Sequence, residues 1–170
     1  MTDDHLQRFA TKVVELQEKK RSFDEALMVE VAKDLGMTEE ELIKVKEESR
    51  AHKQRAQALR SAGSLDDAVT ELETAWAFNP LDVEIIYMLA DGLHSRSQRT
   101  KDDAEWARSL ELAKQVLDIA PAHKEAPALI TAIRNNDPAK RSDNAVPIAV
   151  VIVGIGVVLM AIIAVLALLF

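Results

Sequence analysis

Four histidines, His5, His52, His94 and His123, are the side chains best suited to hold a metal or move a proton near neutral pH. They are scattered, and no two stand four apart, so no pair of them is placed on one helical turn to converge on an ion. They read as surface or turn residues. There is no cysteine, which excludes a disulfide framework, thiol catalysis and thiolate metal sites. Carboxylates are plentiful, but the runs Glu39–Glu41, Glu47–Glu48 and Asp102–Asp103 read as helix N-terminal charges or solvated faces. No glycine-rich phosphate loop, nucleophile elbow or metalloprotease motif is present. The residues predict no enzyme, no cofactor, no metal and no small-molecule substrate.

Two further patterns invite a functional reading. Ala32, Gly36 and Leu42 have helix–turn–helix spacing, but the second helix opens with Glu39, Glu40 and Glu41, which phosphates would repel. With 21 Lys+Arg against 28 Asp+Glu and a net charge of −7, nucleic acid is excluded as a partner. Trp76 and Trp106 fall in helix-packing register and are expected in the core or at its rim.

The elements that carry these residues are helices. Sustained two-residue alternation is missing, and capping signals recur. Leu6, Phe9, Val13 and Leu16 mark a first helix over 3–21. Ser22 with Glu25 and Thr38 with Glu41 are capping boxes, the first opening a helix that Gly36 closes, the second a helix reaching about Ala62. Further helices are predicted at 65–78, 81–95, 102–119 and 124–135, separated by Gly63-Ser64, Asn79-Pro80 and Pro121. Every charge lies at or before Asp143. Residues 146–170 are uninterruptedly apolar, about 37 Å long as a helix against a bilayer core of about 30 Å, and predict a C-terminal transmembrane helix. Nothing at the charged N-terminus would export the preceding domain, so that domain is expected in the cytosol. Gly154 and Gly156 lack the four-residue spacing of close helix dimers.

Gly63, Ala68, Leu72, Ala75 and Pro80 stand at the intervals of the second half of a tetratricopeptide repeat, and the stretch closely resembles that family. Ala56 and Leu59 fit the preceding helix, where His52 and Arg55 occupy places usually taken by large apolar residues. Ile86, Leu89, Ala90 and Leu93, then Ser109, Ala113, Val116 and Pro121, resemble a second repeat. Pro80 and Pro121 are 41 positions apart against about 34 in the family, and the seven extra residues are expected to enlarge a turn over Ser95–Lys101. The resemblance implies an all-α solenoid of antiparallel helix pairs, about seven soluble helices plus the transmembrane one. Its parts are an N-terminal helical segment 1–48, a repeat domain 49–136 with a cap helix, a linker 137–145 and the span 146–170.

The family binds peptides on a concave face lined by the first helix of each pair. Carried onto this chain, that face comprises Arg50, Lys53, Gln57 and Arg60, then Glu84, Tyr87, Asp91 and His94. The first set resembles part of a carboxylate clamp, and the second opposes one, since Glu84 and Asp91 would repel a carboxylate. The implied groove is basic at one end and acidic at the other, suited to a mixed-charge or helical segment. The implied function is a membrane-anchored adaptor that recruits a protein or peptide partner, with the bilayer engaged by 146–170. The layout is similar to tail-anchored mitochondrial fission adaptors, and a bacterial inner membrane fits the helix starts equally well. The alternatives are a cytosolic sensing or assembly segment of a longer single-pass protein, and a self-associating scaffold.

Overall fold

A computed structural model describes residues 3–18 and 25–138 of the chain. Among them are seven helices and no strand: α1 (Asp3–Glu18), α2 (Glu25–Asp34), α3 (Glu39–Ser61), α4 (Leu65–Phe78), α5 (Val83–Thr100), α6 (Asp103–Ile119) and α7 (Ala126–Asn135). No helix among the described residues is long and apolar enough to cross a membrane. The expected span at 146–170, residues 139–145 of the linker and the capping residue Ser22 lie outside the described residues.

The helix ends follow the local chemistry. Thr38 and Glu41 form a reciprocal capping box at the start of α3: Glu41 N–H donates to the Thr38 hydroxyl at 3.2 Å and Thr38 N–H to the Glu41 carboxylate at 2.9 Å. α2 and α3 both end in a left-handed glycine, Gly36 at φ 69° and Gly63 at φ 83°. At each, paired backbone bonds close the last turn, Met37 N–H to Ala32 O and Gly36 N–H to Lys33 O in the first case. Asp82 and Asp102 cap α5 and α6, each accepting from two backbone N–H groups.

α3 packs on α4, α5 on α6, and α4 on α5, with α7 closing the end against α6 and α5. The main core is built from Val69, Leu72, Ile86, Leu89, Leu93, Val116 and Ile133, each at most 1% exposed, together with small residues where helices approach closely. Gly92 shows how close: a Cβ there would lie 2.9 Å from Val69 Cγ2. Trp76 and Trp106 both join this core, and the Trp106 indole N–H donates to Ile133 O at 2.8 Å, satisfying a carbonyl in the last turn of α7.

Residues 95–101 correct the sequence reading. They form no enlarged turn: α5 runs through Thr100, and only Lys101, left-handed at φ 63°, and Asp102 separate it from α6. The added residues are absorbed as helix because they find partners. Arg96 pairs with Glu105 at 2.6 Å, Arg99 pairs with Asp66, and buried Ser97 donates its hydroxyl to His94 O at 2.8 Å.

A second apolar cluster joins α1, α2 and the start of α3 through Phe9, Val13, Met28, Val31, Ala32 and Val45, with Phe78 and Leu35 against it. α1 packs on α4 and α2, and its Val14 reaches the main core, so the N-terminal helices extend the core along the outer helix of the first pair. α3 is unbroken across Glu48–Ser49, where the N-terminal segment was expected to meet the repeat domain. The chain to Asn135 forms one compact unit.

Candidate functional site

The α3 residues Arg50, Lys53, Gln57 and Arg60 and the α5 residues Glu84, Tyr87 and Asp91 recur at three and four positions, so each set forms one stripe along its helix. Three contacts join the stripes, each across 31 positions of sequence. The Lys53 ammonium donates to Glu84 at 3.0 Å, the Gln57 amide to the Met88 sulfur at 3.8 Å, and Arg60 to Asp91. Lys53 also reaches Asp82 at 3.3 Å. Asp82 therefore serves twice: Oδ1 caps α5 and Oδ2 meets Lys53.

These contacts revise the expected charge pattern. The groove is not basic at one end and acidic at the other. A basic edge on α3 runs beside an acidic edge on α5, and two of its cations are engaged by carboxylates of the same chain. Burial works against the charge on Lys53, but hydrogen bonds to Glu84 and Asp82 and the fields of both carboxylates outweigh it and hold the ammonium above its ordinary value. A carboxylate ligand would have to displace those partners. Burial, then the fields of Asp91 and Glu125, push the Tyr87 phenol up, with Arg60 opposing.

His94 is a second correction. It is 5% exposed, with the Gln98 amide 2.8 Å from its Nε2, and does not belong to an exposed concave face or to a set of surface histidines. It lies on the buried side of α5 with Leu93 and Ser97. Arg50 is exposed and forms no ion pair among the described residues.

Sequence reasoning missed four participants: Asp82, Met88, His123 and Glu125. The His123 ring lies 4.9 Å from that of Tyr87, and its Nδ1 accepts from Ala126 N–H at 3.2 Å at the start of α7, while Glu125 stands 3.4 Å from the same nitrogen. The constant offset of 31 between the stripes was present in the numbering, but only the parallel, side-by-side placement of α3 and α5 gives it meaning.

His52 and Arg55, the apparent misfits of α3, are also explained. Both bind Glu71 of α4, at 2.7 Å and 3.0 Å, and the His52 ring lies 5.7 Å from Phe78. Burial disfavours the Glu71 carboxylate, but the hydrogen bonds from His52 and Arg55 prevail and lower its pKa. Buried Ser49 adds a hydroxyl bond to Ala75 O at 2.8 Å. Among the described residues no group of three or more histidines and carboxylates could hold a metal ion.

Residues 49–92 match a family model described as tetratricopeptide repeat. The matched stretch takes in α3 from Ser49, all of α4 and the first half of α5, and so includes the three contacts between the stripes. No curated protein and no solved structure matches the chain. Repeats of this family commonly bind protein partners, and the all-helical architecture accords with one.

Proposed function

We propose that this protein is an adaptor that captures a protein partner on the α3–α5 face and holds it at a membrane through residues 146–170. One observation carries the reading. Within the stretch that matches the repeat family, Arg50, Gln57, Arg60 and Glu84 stand exposed along a single seam, beside an α5 whose opposite face is packed into the fold. The protein works by binding and not by catalysis: the anchor fixes the location, and tethering raises the local concentration of the captured partner. Two helix pairs present a short groove, so its affinity alone is modest and the tether contributes much of the effect.

The anchoring part rests on the apolar sequence of 146–170 and on the absence of charge after Asp143. The cytosolic placement of residues 1–145 belongs to the same proposal.

The test uses the tagged full chain in cells of its source. Capture after mild cross-linking is compared with a variant carrying Gln57→Ala, Arg60→Ala and Tyr87→Ala, whose helicity is checked by circular dichroism. A partner lost from the variant supports recognition by the seam, and equal recovery contradicts it. Alkaline extraction of the same membranes should leave the full chain in the pellet and release a chain lacking 146–170. Release of both would remove the anchor from the account.

A further inference from the structure

We propose that one end of the α3–α5 seam is a docking pocket for an acidic, leucine-bearing segment of a protein partner. Its apolar side chain would lie beside Leu81, and its carboxylates on Lys46 and Arg50. This rests on the reading that a partner binds the seam, and it names where on the seam and by what chemistry.

The 31-residue offset that sets Lys53 against Glu84 and Arg60 against Asp91 sets Arg50 against Leu81. At this step, as where Gln57 meets Met88, the register supplies an apolar residue in place of a carboxylate, and here that residue faces a cation. Arg50 therefore lacks the carboxylate that its register would supply. One turn earlier on the same stripe, Lys46 is exposed and likewise has no ion pair among the described residues. One turn earlier again is Ile43, 55% exposed and so one of the few large apolar side chains facing solvent.

Lys46 and Leu81 border a real opening. A pocket of about 280 Å³ is lined by Met28, Lys46, Asn79, Leu81 and Asp82. That is below the roughly 300–1,000 Å³ of small-molecule sites and suits an aliphatic side chain. Asp82 is the acidic group of the lining, but its Oδ1 caps α5 and its Oδ2 meets Lys53, so its charge is committed elsewhere. The pocket is continuous with the seam through this same residue.

Charge complementarity selects the occupant. The chain carries −7 overall, and the stripe cations further along are engaged by the chain's own carboxylates. Lys46 and Arg50 thus form a cationic step, unpaired among the described residues, beside this pocket on a chain of net negative charge. A basic segment would meet two cations here, and a wholly polar acidic one would leave Leu81 uncovered.

The test is fluorescence polarisation with the full chain in detergent micelles and three short fluorescein-labelled helical peptides. One contains glutamate, leucine and alanine, one replaces glutamate with lysine, and one replaces leucine with glutamine. The glutamate–leucine peptide should bind best. Lys46→Glu combined with Arg50→Glu should weaken it by about tenfold, with the difference shrinking as salt is raised. Leu81→Ser should weaken it several-fold with little salt dependence, whereas Lys114→Glu on α6 should leave it unchanged. Equal binding of the lysine–leucine peptide, equal loss with Lys114→Glu, or no binding at all would overturn the pocket. So would a dimer of the full chain that the Lys46→Glu, Arg50→Glu variant dissociates, since the occupant would then be a second copy. Absent peptide binding while the Gln57, Arg60 and Tyr87 substitutions still abolish partner capture would defeat this inference alone. Loss of neither signal by any seam substitution would defeat the adaptor reading as well.

Discussion

The first helix pair and the second are held by different forces. α5 buries Ile85, Ile86, Met88, Leu89, Ala90, Gly92, Leu93, His94 and Ser97, whereas α3, five residues longer, buries only Val45, Ser49 and Ala56. α5 is an inner helix, packed by α4, α6 and α7, and its stability comes from apolar area removed from water. α3 leans on α4 through a hydroxyl–carbonyl bond and a two-to-one arrangement of His52 and Arg55 on Glu71. Such contacts are worth less and depend on pH and salt. The same scarcity of burial leaves α3 with a long solvent-facing stripe. The helix that is least committed to the core is the one free to present side chains to a partner.

The difference can be broken from the α5 side first. Leu89→Ala, at a fully buried position, should cost about 2–5 kcal/mol and lower the thermal midpoint of the whole unit. Gly92→Val would force a side chain against Val69 at the α4–α5 approach and should cost about 1–3 kcal/mol by the same measurement. On the α3 side, Ser49→Ala should cost only about 0.5–1.5 kcal/mol, because Ala75 O keeps its bond from Asn79 N–H.

Acid should separate the pairs by mechanism. The folded-state pKa of Glu71 is lowered, so its stabilising contribution is complete above the ordinary value of 4.5 and is lost as pH falls below that value through the folded pKa. Unfolding midpoints taken from pH 7 downward should therefore fall less steeply for Glu71→Gln than for the parent chain. An unchanged slope would show that Glu71 does not bind α3 to α4. The smallest effect is expected from Asp91→Asn, which removes the Arg60 pair at a part-exposed site and should shift stability by less than about 1 kcal/mol.

Much of this fold can be read from particular residues. Gly36, Gly63, Thr38 and Pro80 punctuate the helices because each does something few other residues do: a positive φ, a side-chain cap, a missing N–H. Ala68, Leu72 and Ala75 announce the packing face by spacing alone. Residues 95–101 were misread because Ser, Arg and Gln carry no apolar period. Their helix is settled by Glu105 on the next helix and by Asp66, which is distant in sequence. The stripe positions were legible as register, but their neutralisation was not, since it requires α3 and α5 to lie side by side at one particular offset. Glu71 could not be identified as the partner of His52 and Arg55 without the α3–α4 packing.

The most direct test of the central claim, that the α3–α5 seam is the recognition face, is site-specific photo-crosslinking in the full chain. A benzophenone amino acid at Gln57, exposed on α3, is compared with one at Glu111, exposed on α6. The account predicts a discrete adduct from Gln57 that weakens with Arg60→Ala and Tyr87→Ala, and none from Glu111. An adduct from Glu111 with none from Gln57 would place the partner on the outer helices and contradict it.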